Sequence, residues 1–171
     1  VALDSERLLL RPMSEEDREG MIEILQDGEI SKTTFKPFPF GSKEFDVLLK
    51  RQEKGYESNE GRSFCIILKE SNKLIGRIVI YRDPYPVPDY PVASLGYFID
   101  KNYRNKGYCT ESVSTVLAYA FSEAPHGWGM HKVAAECLEG NLASAKVLEK
   151  CGMQREGFLR DAFWRNGTFK S

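Results

Sequence analysis

The chain of 171 residues is about the size of one domain, because domains usually hold roughly 100 to 200 residues. Its content of 42% hydrophobic and 29% charged residues excludes an intrinsically disordered chain and predicts a packed core. The 24 Lys and Arg residues nearly balance the 25 Asp and Glu residues. A formal net charge of −1 gives no indication of binding to nucleic acid or to an acidic membrane surface.

Four cysteines are spread along the chain and match no paired metal-ligand spacing. They are Cys65, Cys109, Cys137 and Cys151. The amino end has no secretory-signal pattern, and no apolar run approaches the roughly 20 residues that cross a bilayer. We therefore expect a cytoplasmic protein with reduced thiols, no metal and no membrane attachment.

Strands and helices are predicted in turn along the first part of the chain. Residues 8–10 form a short apolar strand, and Ser14 offers a cap for a helix that carries Met21 and Leu25. Residues 31–41 follow as a loop, because they contain prolines, although this loop is unusually aromatic.

A second helix and three strands are predicted next. Phe45 and Leu48 fall on one face of the helix. Apolar, β-branched runs at 64–68 and 74–80 are separated by a short polar turn, which is typical of a hairpin, and residues 93–99 continue as a third antiparallel strand.

The second half of the chain predicts further helices and strands. Residues 110–123 have the apolar spacing of an amphipathic helix, and residues 133–138 form a strand. Asn141 caps another helix that ends at Gly152, and residues 153–164 supply a final strand.

A strand, a helix and a further strand in this half form a βαβ unit with two parallel strands and a right-handed crossover. We therefore expect an α/β fold of the mixed α+β kind. Its central mixed sheet has six to seven strands flanked by about four helices, and residues 1–171 form a single domain.

The most informative segment joins the third strand to the amphipathic helix. Lys101, Arg104 and Lys106 concentrate positive charge there, and Gly107 can take the positive φ that lets successive backbone N–H groups converge on an anion. Helix N-terminal amides add partial positive charge. The segment therefore predicts a phosphate site, the alternative being a solvated basic turn. It matches neither a P-loop nor the dinucleotide-binding glycine pattern.

This segment resembles the acetyl-CoA signature of the GNAT superfamily of N-acetyltransferases, which is Arg/Gln-x-x-Gly-x-Gly/Ala. Here it reads Arg104-Asn105-Lys106-Gly107-Tyr108-Cys109, with Cys109 in place of the usual Gly or Ala. Residues 141–144 resemble the family's Asn-x-x-Ser/Ala helix, and Gly152-Met153 resembles its closing Gly-Phe. Residues 6–11 and Asn166-Gly167 are further similar to the Rim-type branch, which acetylates the N-terminal amines of ribosomal proteins.

The resemblance implies direct transfer of an acetyl group from acetyl-CoA to an amine in a ternary complex. Phe98 and Ile99 would pair their backbone with the pantetheine arm, and one N–H group would stabilise the developing oxyanion. Asn141 would contact the cofactor from the following helix. The residues implied to hold the pyrophosphate are Arg104, Asn105, Lys106, Gly107, Tyr108, Cys109 and Thr110.

Ser144 is implied as the general acid near the thioester sulfur, although its hydroxyl could instead bond back to a carbonyl of its own helix. Many relatives place a Tyr on this helix for that role, but the matching position here is Leu148. The general acid need give only weak assistance to the leaving thiolate of CoA, because an unperturbed thiol has a pKa near ~8.5.

The general base is harder to assign. Phe163 stands approximately where Rim-type enzymes are thought to use a Glu. Glu136 is our substitute and Asp161 the next choice, the alternative for each being a solvated surface carboxylate. His131, at a strand entrance, is interpreted as a surface histidine.

A weak base favours an acceptor with a low pKa. An α-amine with a pKa near ~7.8 is neutral in about one molecule in seven at pH 7, whereas a Lys amine near ~10.4 is neutral in about one in several thousand. We therefore expect a protein N-terminal α-amine as the acceptor. Residues 35–40 and 83–91 are expected to border its pocket, unless those aromatics only close the core.

Two other functions stay open. One is acetylation of a small amine such as a polyamine, an amino sugar or an antibiotic, which acidic residues at the acceptor mouth would favour. The other is a module that binds acyl-CoA without turnover. We expect a monomer or a homodimer, assign Trp128 and Trp164 to packing, and expect the domain to lack its last strand, because family members usually continue beyond an Asn-Gly turn.

Overall fold

The computed structural model describes residues 1–34, 36–84, 87, 90–165 and 167–171. Short 3-10 helices lie at Glu15–Asp17 and Lys101–Tyr103. The strands within these residues are β1 (Leu3–Asp4), β2 (Leu8–Arg11), β3 (Gly61–Leu68), β4 (Lys73–Arg82), β5 (Val92–Ile99), β6 (Lys132–Ala135), β7 (Phe163–Arg165) and β8 (Thr168–Lys170). The α-helices are α1 (Arg18–Leu25), α2 (Gly28–Thr33), α3 (Ser42–Glu57), α4 (Tyr108–Phe121) and α5 (Leu142–Lys150).

The first six strands form one mixed sheet in the order β1-β2-β3-β4-β5-β6. Neighbouring strands are antiparallel except β5 and β6, which are parallel and are connected through α4. The predicted mixed sheet and its βαβ unit are therefore confirmed.

Each face of the sheet carries its own core, because side chains alternate along a strand. Ile78 and Ile80 of β4 belong to the core that α4 covers, together with Val113 and Val116. On the opposite face, Cys65, Ile67 and Phe98 pack with residues of α1 and α3 such as Met21, Phe45 and Leu48.

The predicted final strand at residues 153–164 is wrong for most of its length. Residues 154–162 form no strand, and β7 begins only at Phe163. In the described part of the chain, β7 pairs with β8 in a separate hairpin rather than with the main sheet. Phe158 and Leu159 are exposed, so this segment has no buried face to fix it against the sheet.

Three smaller differences concern the ends and the number of elements. The helix α4 begins at Tyr108, two residues before the predicted start, and β6 ends at Ala135, three residues before the predicted end. The short helix α2 was expected to be partly loop. It begins after Asp27, whose side chain accepts a hydrogen bond of 3.0 Å from the backbone N–H of Glu29.

Candidate active site

The strands β5 and β6 pair over only four residues, and this gives rise to a cleft. Their ladder ends at Leu95 and Ala135, whereas β5 continues to Ile99. Among the described residues, one backbone edge of β5 beyond Leu95 has no ladder partner. The cleft that opens there has a volume of about 1320 Å³ and reaches from α4 and α5 to α2 and α3.

Most of the residues predicted to bind the cofactor lie together along this cleft. Phe98 and Ile99 line it, although these residues are only 7% and 6% exposed. Lys106 is exposed outside the lining, with its Nζ 5.5 Å from the ring centre of Tyr103. The other predicted residues that line the cleft are Arg104, Asn105, Gly107, Tyr108, Cys109, Thr110 and Asn141.

The turn before α4 has the geometry of an anion site. Gly107 is the N-cap of α4 with φ of 81°, and Asn105 has φ of 60°, so both lie in the left-handed region. The first backbone bond within the helix runs from the N–H of Glu111 to the carbonyl of Gly107. The N–H groups of Tyr108, Cys109 and Thr110 therefore precede the intrahelical ladder and are available to an anion at the cleft.

A brace from the amino-terminal part of the chain holds this turn. The backbone N–H and the Nε of Arg7 each donate to the Glu111 carboxylate at 2.7 Å, and Nη1 of Arg7 donates to the carbonyl of Lys106 at 2.9 Å. The guanidinium also lies 4.5 Å from the ring centre of Tyr108. Burial alone would raise the pKa of Glu111, but hydrogen bonds from Arg7 and Ser5 outweigh it and lower that pKa.

Arg104, the first residue of the signature, links three elements. Its Nε donates to the carbonyl of Ile99 at 3.4 Å, at the end of β5. Its Nη2 lies 3.3 Å from Oδ2 of Asp27, which caps α2. The side chain therefore fixes the end of the strand while it remains at the edge of the cleft.

Ser144 faces Tyr97 across the cleft. The two hydroxyl oxygens are 2.9 Å apart, and the Tyr97 hydroxyl also donates to the backbone carbonyl of Ser144 at 3.3 Å. The Ser144 hydroxyl is thus directed at β5, contrary to the alternative in which it bonds only within its own helix. Asn141 caps α5 as predicted, since its Oδ1 accepts from the Ser144 N–H at 3.3 Å.

Sequence reasoning missed Tyr97. Burial raises its pKa to about 12, partly opposed by the hydrogen bond with Ser144, so the phenol keeps its proton at neutral pH. Its hydroxyl contacts Ser144, one helical turn before Leu148, which is buried. The available signal was a polar aromatic residue on the strand that leads into the signature.

The candidate bases are not equally placed. Glu136 is exposed and lines the cleft, as does Phe163. Burial, followed by the charges of Asp83 and Glu136, raises the pKa of Tyr81, so these three side chains share one end of the cleft. Asp161 and His131 are exposed and do not contribute to the lining.

The Cys109 thiol in the signature keeps its proton at neutral pH. Burial, partly opposed by Arg104, raises the pKa of Cys109 to about 11, and all four cysteines are free. Among the described residues there is no cluster of three or more side chains that could hold a metal ion. In the same part of the chain, no helix is both long and apolar enough to cross a membrane.

The two loops expected at the acceptor pocket contribute in part. Lys36 lines the cleft, whereas Phe40 is buried in the core and Phe38 is exposed. Asp83 and Pro84 line the cleft at the start of the second loop. The residues of these loops and of the Asn-Gly turn that lie outside the described part are Phe35, Tyr85, Pro86, Pro88, Asp89 and Asn166.

The two tryptophans differ in burial and in what they pack against. Trp128 is buried, and its indole N–H donates to Oδ1 of Asn59 at 3.0 Å, which agrees with a packing role. Trp164 is 62% exposed and packs edge-on against Phe169 in the β7–β8 hairpin, with ring centres 4.8 Å apart. It therefore supports the hairpin and not the core.

The chain matches known acetyltransferases in sequence and in structure. Residues 7–154 match the family described as acetyltransferase (GNAT) domain. The chain is 30% identical over 158 residues to the uncharacterized N-acetyltransferase YnaD of Bacillus subtilis, which covers 92% of this chain and 85% of that protein.

Solved structures share the fold over nearly the whole chain. A GNAT-family acetyltransferase from Bacillus anthracis superposes with a TM-score of 0.82 and 25% identity, covering 99% of this chain and 93% of that one. RimL, described as the ribosomal L7/L12 alpha-N-protein acetyltransferase in complex with coenzyme A, gives 0.84 at 15% identity over the same shares. A spermidine N-acetyltransferase from Vibrio cholerae, in complex with CoA and spermine, gives 0.77 at 22% identity, covering 97% of this chain and 92% of that one. The chain therefore belongs to the GNAT acetyltransferase family and is an N-acetyltransferase.

Proposed function

We propose that the protein transfers the acetyl group of acetyl-CoA to a primary amine by direct attack in a ternary complex, with a protein N-terminal α-amine as the acceptor. The observation that carries this proposal is the separation of β5 from β6 directly beside the N-terminus of α4. An unpaired strand edge and free helix amides at one cleft suit a ligand with an amide-containing arm and a pyrophosphate.

In this proposal the pyrophosphate lies against the N–H groups of Tyr108, Cys109 and Thr110, and the pantetheine arm lies along the free edge of β5. A backbone N–H in the Phe98–Ile99 part of that edge stabilises the oxyanion that develops on the thioester carbonyl. The arm therefore takes the position that a further strand would occupy.

The reaction needs one proton to leave the amine and one to reach the sulfur. The neutral amine attacks the carbonyl carbon, the new C–N bond forms, and the C–S bond breaks. Glu136, exposed in the cleft, accepts the proton of the nitrogen through water, and the paired hydroxyls of Tyr97 and Ser144 donate a hydrogen bond to the departing sulfur. The sulfur leaves as a thiolate, and the proton taken from the nitrogen passes from Glu136 to it through solvent, so CoA ends as the thiol and Glu136 as the carboxylate.

The charges of the cleft disfavour a polyamine acceptor. Among the described residues that line it, ten are Lys or Arg and four are Asp or Glu. A ligand with several ammonium groups would be repelled by most of these side chains. Of these four acidic residues, Asp83 and Glu136 lie together beside Tyr81, and this end of the cleft is the part that would favour a cationic small molecule.

Release of CoA with a panel of acceptors tests the function. Peptides with a free N-terminus should be acetylated faster than N-blocked peptides that contain lysine, and spermidine should be a poor acceptor. Faster transfer to lysine would overturn the choice of acceptor. Binding of acetyl-CoA without CoA release on any amine would overturn the transferase proposal in favour of a binding module.

A further inference from the structure

Arg77 is a buried cation in the middle of the sheet. It lies on β4, opposite Cys65 of β3 and Phe98 of β5, and is only 4% exposed. It nevertheless lines the cleft. Its Nε has no hydrogen-bond partner among the described residues.

Polar groups on the same face of the sheet, near Cys65 and Ser63 of β3, are already engaged with one another. Both carboxylate oxygens of Asp17 accept bonds of 2.8 Å from the guanidinium of Arg11. The side chain of Gln52 exchanges bonds with the backbone of Met13 at 2.9 and 2.8 Å, and also accepts from Ser63. Among the described residues, no carboxylate forms a salt bridge with this guanidinium, although a buried charge is costly unless it is paired.

Further cations surround the same part of the cleft. Lys36 follows α2, Arg51 lies on α3, and Arg165 lies on β7, and all three line the cleft. The Nη2 of Arg165 donates to the carbonyl of Lys36 at 2.9 Å, but its Nε has no partner among the described residues. In that part of the chain, none of these four cations forms a salt bridge.

The pKa shifts of these side chains agree with the concentration of positive charge. Burial, followed by the charges of Arg77 and Arg51, lowers the pKa of Lys36 to about 7. Burial also lowers the pKa of Arg77 to about 10, which leaves it charged at neutral pH. Neighbouring cations lower one another's pKa, and an anion bound between them would stabilise their charged forms.

This group is distinct from the proposed pyrophosphate site. Cys65 and Phe98, the register partners of Arg77, belong to the core that α1 and α3 cover. The helix α4 packs on the opposite face of the sheet. An anion at Arg77 therefore belongs to the ligand in the α2–α3 half of the cleft, which is the acceptor half.

We propose that Arg77, Lys36, Arg51 and Arg165 bind an anionic group, a carboxylate or a phosphate, carried by the amine acceptor. This inference rests on the proposed function, because it assigns the acceptor to the α2–α3 half of the cleft. The guanidinium forks of the three arginines suit the paired oxygens of either group.

Matched acceptors test the proposal by CoA release. In the carboxylate arm, Ser-Glu-Glu-Ala-amide is compared with Ser-Gln-Gln-Ala-amide, and in the phosphate arm, phosphoethanolamine is compared with ethanolamine. We expect kcat/KM to be at least about tenfold higher for the anionic member in one arm, which also identifies the source of the anion. Equal values within both pairs would overturn the inference and leave the transferase function intact.

The variant R77M separates anion recognition from folding. We expect it to abolish the preference through a higher KM for the anionic acceptor, with an unchanged Kd for acetyl-CoA. The Tm should not fall, because an apolar side chain replaces an unpaired charge in a buried place. R160M is the control, because Arg160 is exposed and does not line the cleft. An undiminished preference in R77M would contradict the proposal.

A measurement without turnover keeps the inference independent of the transferase assay. Because the pKa of Lys36 is lowered to about 7, dilute acetic anhydride at neutral pH should label Lys36 ahead of exposed Lys43. Inorganic sulfate should slow the labelling of Lys36 several-fold, because a bound anion favours the charged amine. Sodium chloride of equal ionic strength is the control. The same labelling rate in sulfate and in chloride would overturn the anion site even if no acceptor is found.

Discussion

The hydroxyl of Tyr97 on β5 and the hydroxyl of Ser144 on α5 lie 2.9 Å apart and close the cleft between strand and helix. The two residues are 47 positions apart in sequence, and they meet because β6 leaves the sheet after Ala135. In the proposed mechanism, two hydroxyls in contact stabilise the departing sulfur more effectively than either one alone.

We expect Y97F and S144A each to lower kcat about tenfold, since one hydrogen bond is worth about 1 kcal/mol and tenfold in rate corresponds to about 1.4 kcal/mol. The fold-decrease in kcat of the double variant should be smaller than the product of the two single fold-decreases, because the hydroxyls act as a unit. Steady-state CoA release measures kcat, and calorimetric binding should give an unchanged Kd for acetyl-CoA. Fully multiplicative losses would show that the two hydroxyls act independently.

The pH dependence of kcat follows from the pKa of Tyr97. Because burial raises this pKa to about 12, the phenol keeps its proton throughout the accessible range, and it should cause no loss of kcat up to pH 10. A profile of kcat from pH 6 to pH 10 checks this. A decline between pH 8 and pH 10 that is absent in Y97F would contradict the assignment.

Gly107 should be intolerant of substitution. With φ of 81°, an alanine would sit in the left-handed region at a cost of about 1–2 kcal/mol, and its Cβ would lie 3.2 Å from Nη2 of Arg7. We expect G107A to lower the Tm by several degrees and to raise the Kd for acetyl-CoA, as measured by thermal unfolding and calorimetry. The control is G157A, because a Cβ at Gly157 has no heavy atom within 4 Å and its φ is not positive. Equal effects of the two substitutions would be inconsistent with the role of Gly107.

The brace between Arg7 and Glu111 should make stability depend on pH. A carboxylate whose pKa is lowered in the folded state contributes stability above its unfolded pKa, near ~4.3, and this contribution is lost as the pH falls through the folded value. E111Q should therefore lower the Tm at pH 7 by a few degrees. Under more acidic conditions the Tm of E111Q should approach that of the wild type. Thermal unfolding between pH 3 and pH 7 gives both curves. A constant difference at all pH values would refute the ionic contribution.

Gly76 is required by the close approach of β4 and β5. A Cβ at this position would lie 2.4 Å from the carbonyl oxygen of Phe98 and 3.1 Å from Cα of Ile99, so the backbone of β5 would have to shift. We expect G76A to cost about 3 kcal/mol or more in the free energy of unfolding. In G96A the nearest atom is a Val79 methyl at 3.9 Å, and the cost should stay below about 1 kcal/mol. Denaturant unfolding compares the two, and similar costs would exclude strand spacing as the cause.

The sequence predicted the parts of this fold that depend on local pattern. The apolar runs of β3 and β4, the cap at Asn141 and the stop at Gly152 are all properties of a few neighbouring residues. Ser14 instead precedes the 3-10 helix, and the N-cap of α1 is Asp17. The six-residue helix α2 was not predicted, because it is too short to show helical periodicity. The segment after Gly152 was wrongly extended as a strand, because its apolar residues are exposed.

The site was predicted where one motif contains it and missed where distant segments meet. Residues 104–110 form a contiguous signature, so most of their positions at the cleft followed from sequence. The contacts of Tyr97 with Ser144 and of Arg7 with Glu111 join residues 47 and 104 positions apart. The position of Arg77 between Cys65 and Phe98 depends on the register of three strands, which no single segment encodes.

The short ladder between β5 and β6 also divides the molecule into regions of unequal local stability. Among the described residues, Leu148 is the last that is buried, and Met153 still packs against the core. Beyond Met153 the contacts lie at the surface, such as the ion pair between Lys132 and Glu156. Amide hydrogens of β7 and β8 should therefore exchange with solvent sooner than those of β3 and β4. A ligand that spans β5 and α5 would oppose these local openings, and slower exchange in the carboxy-terminal segment would report its binding.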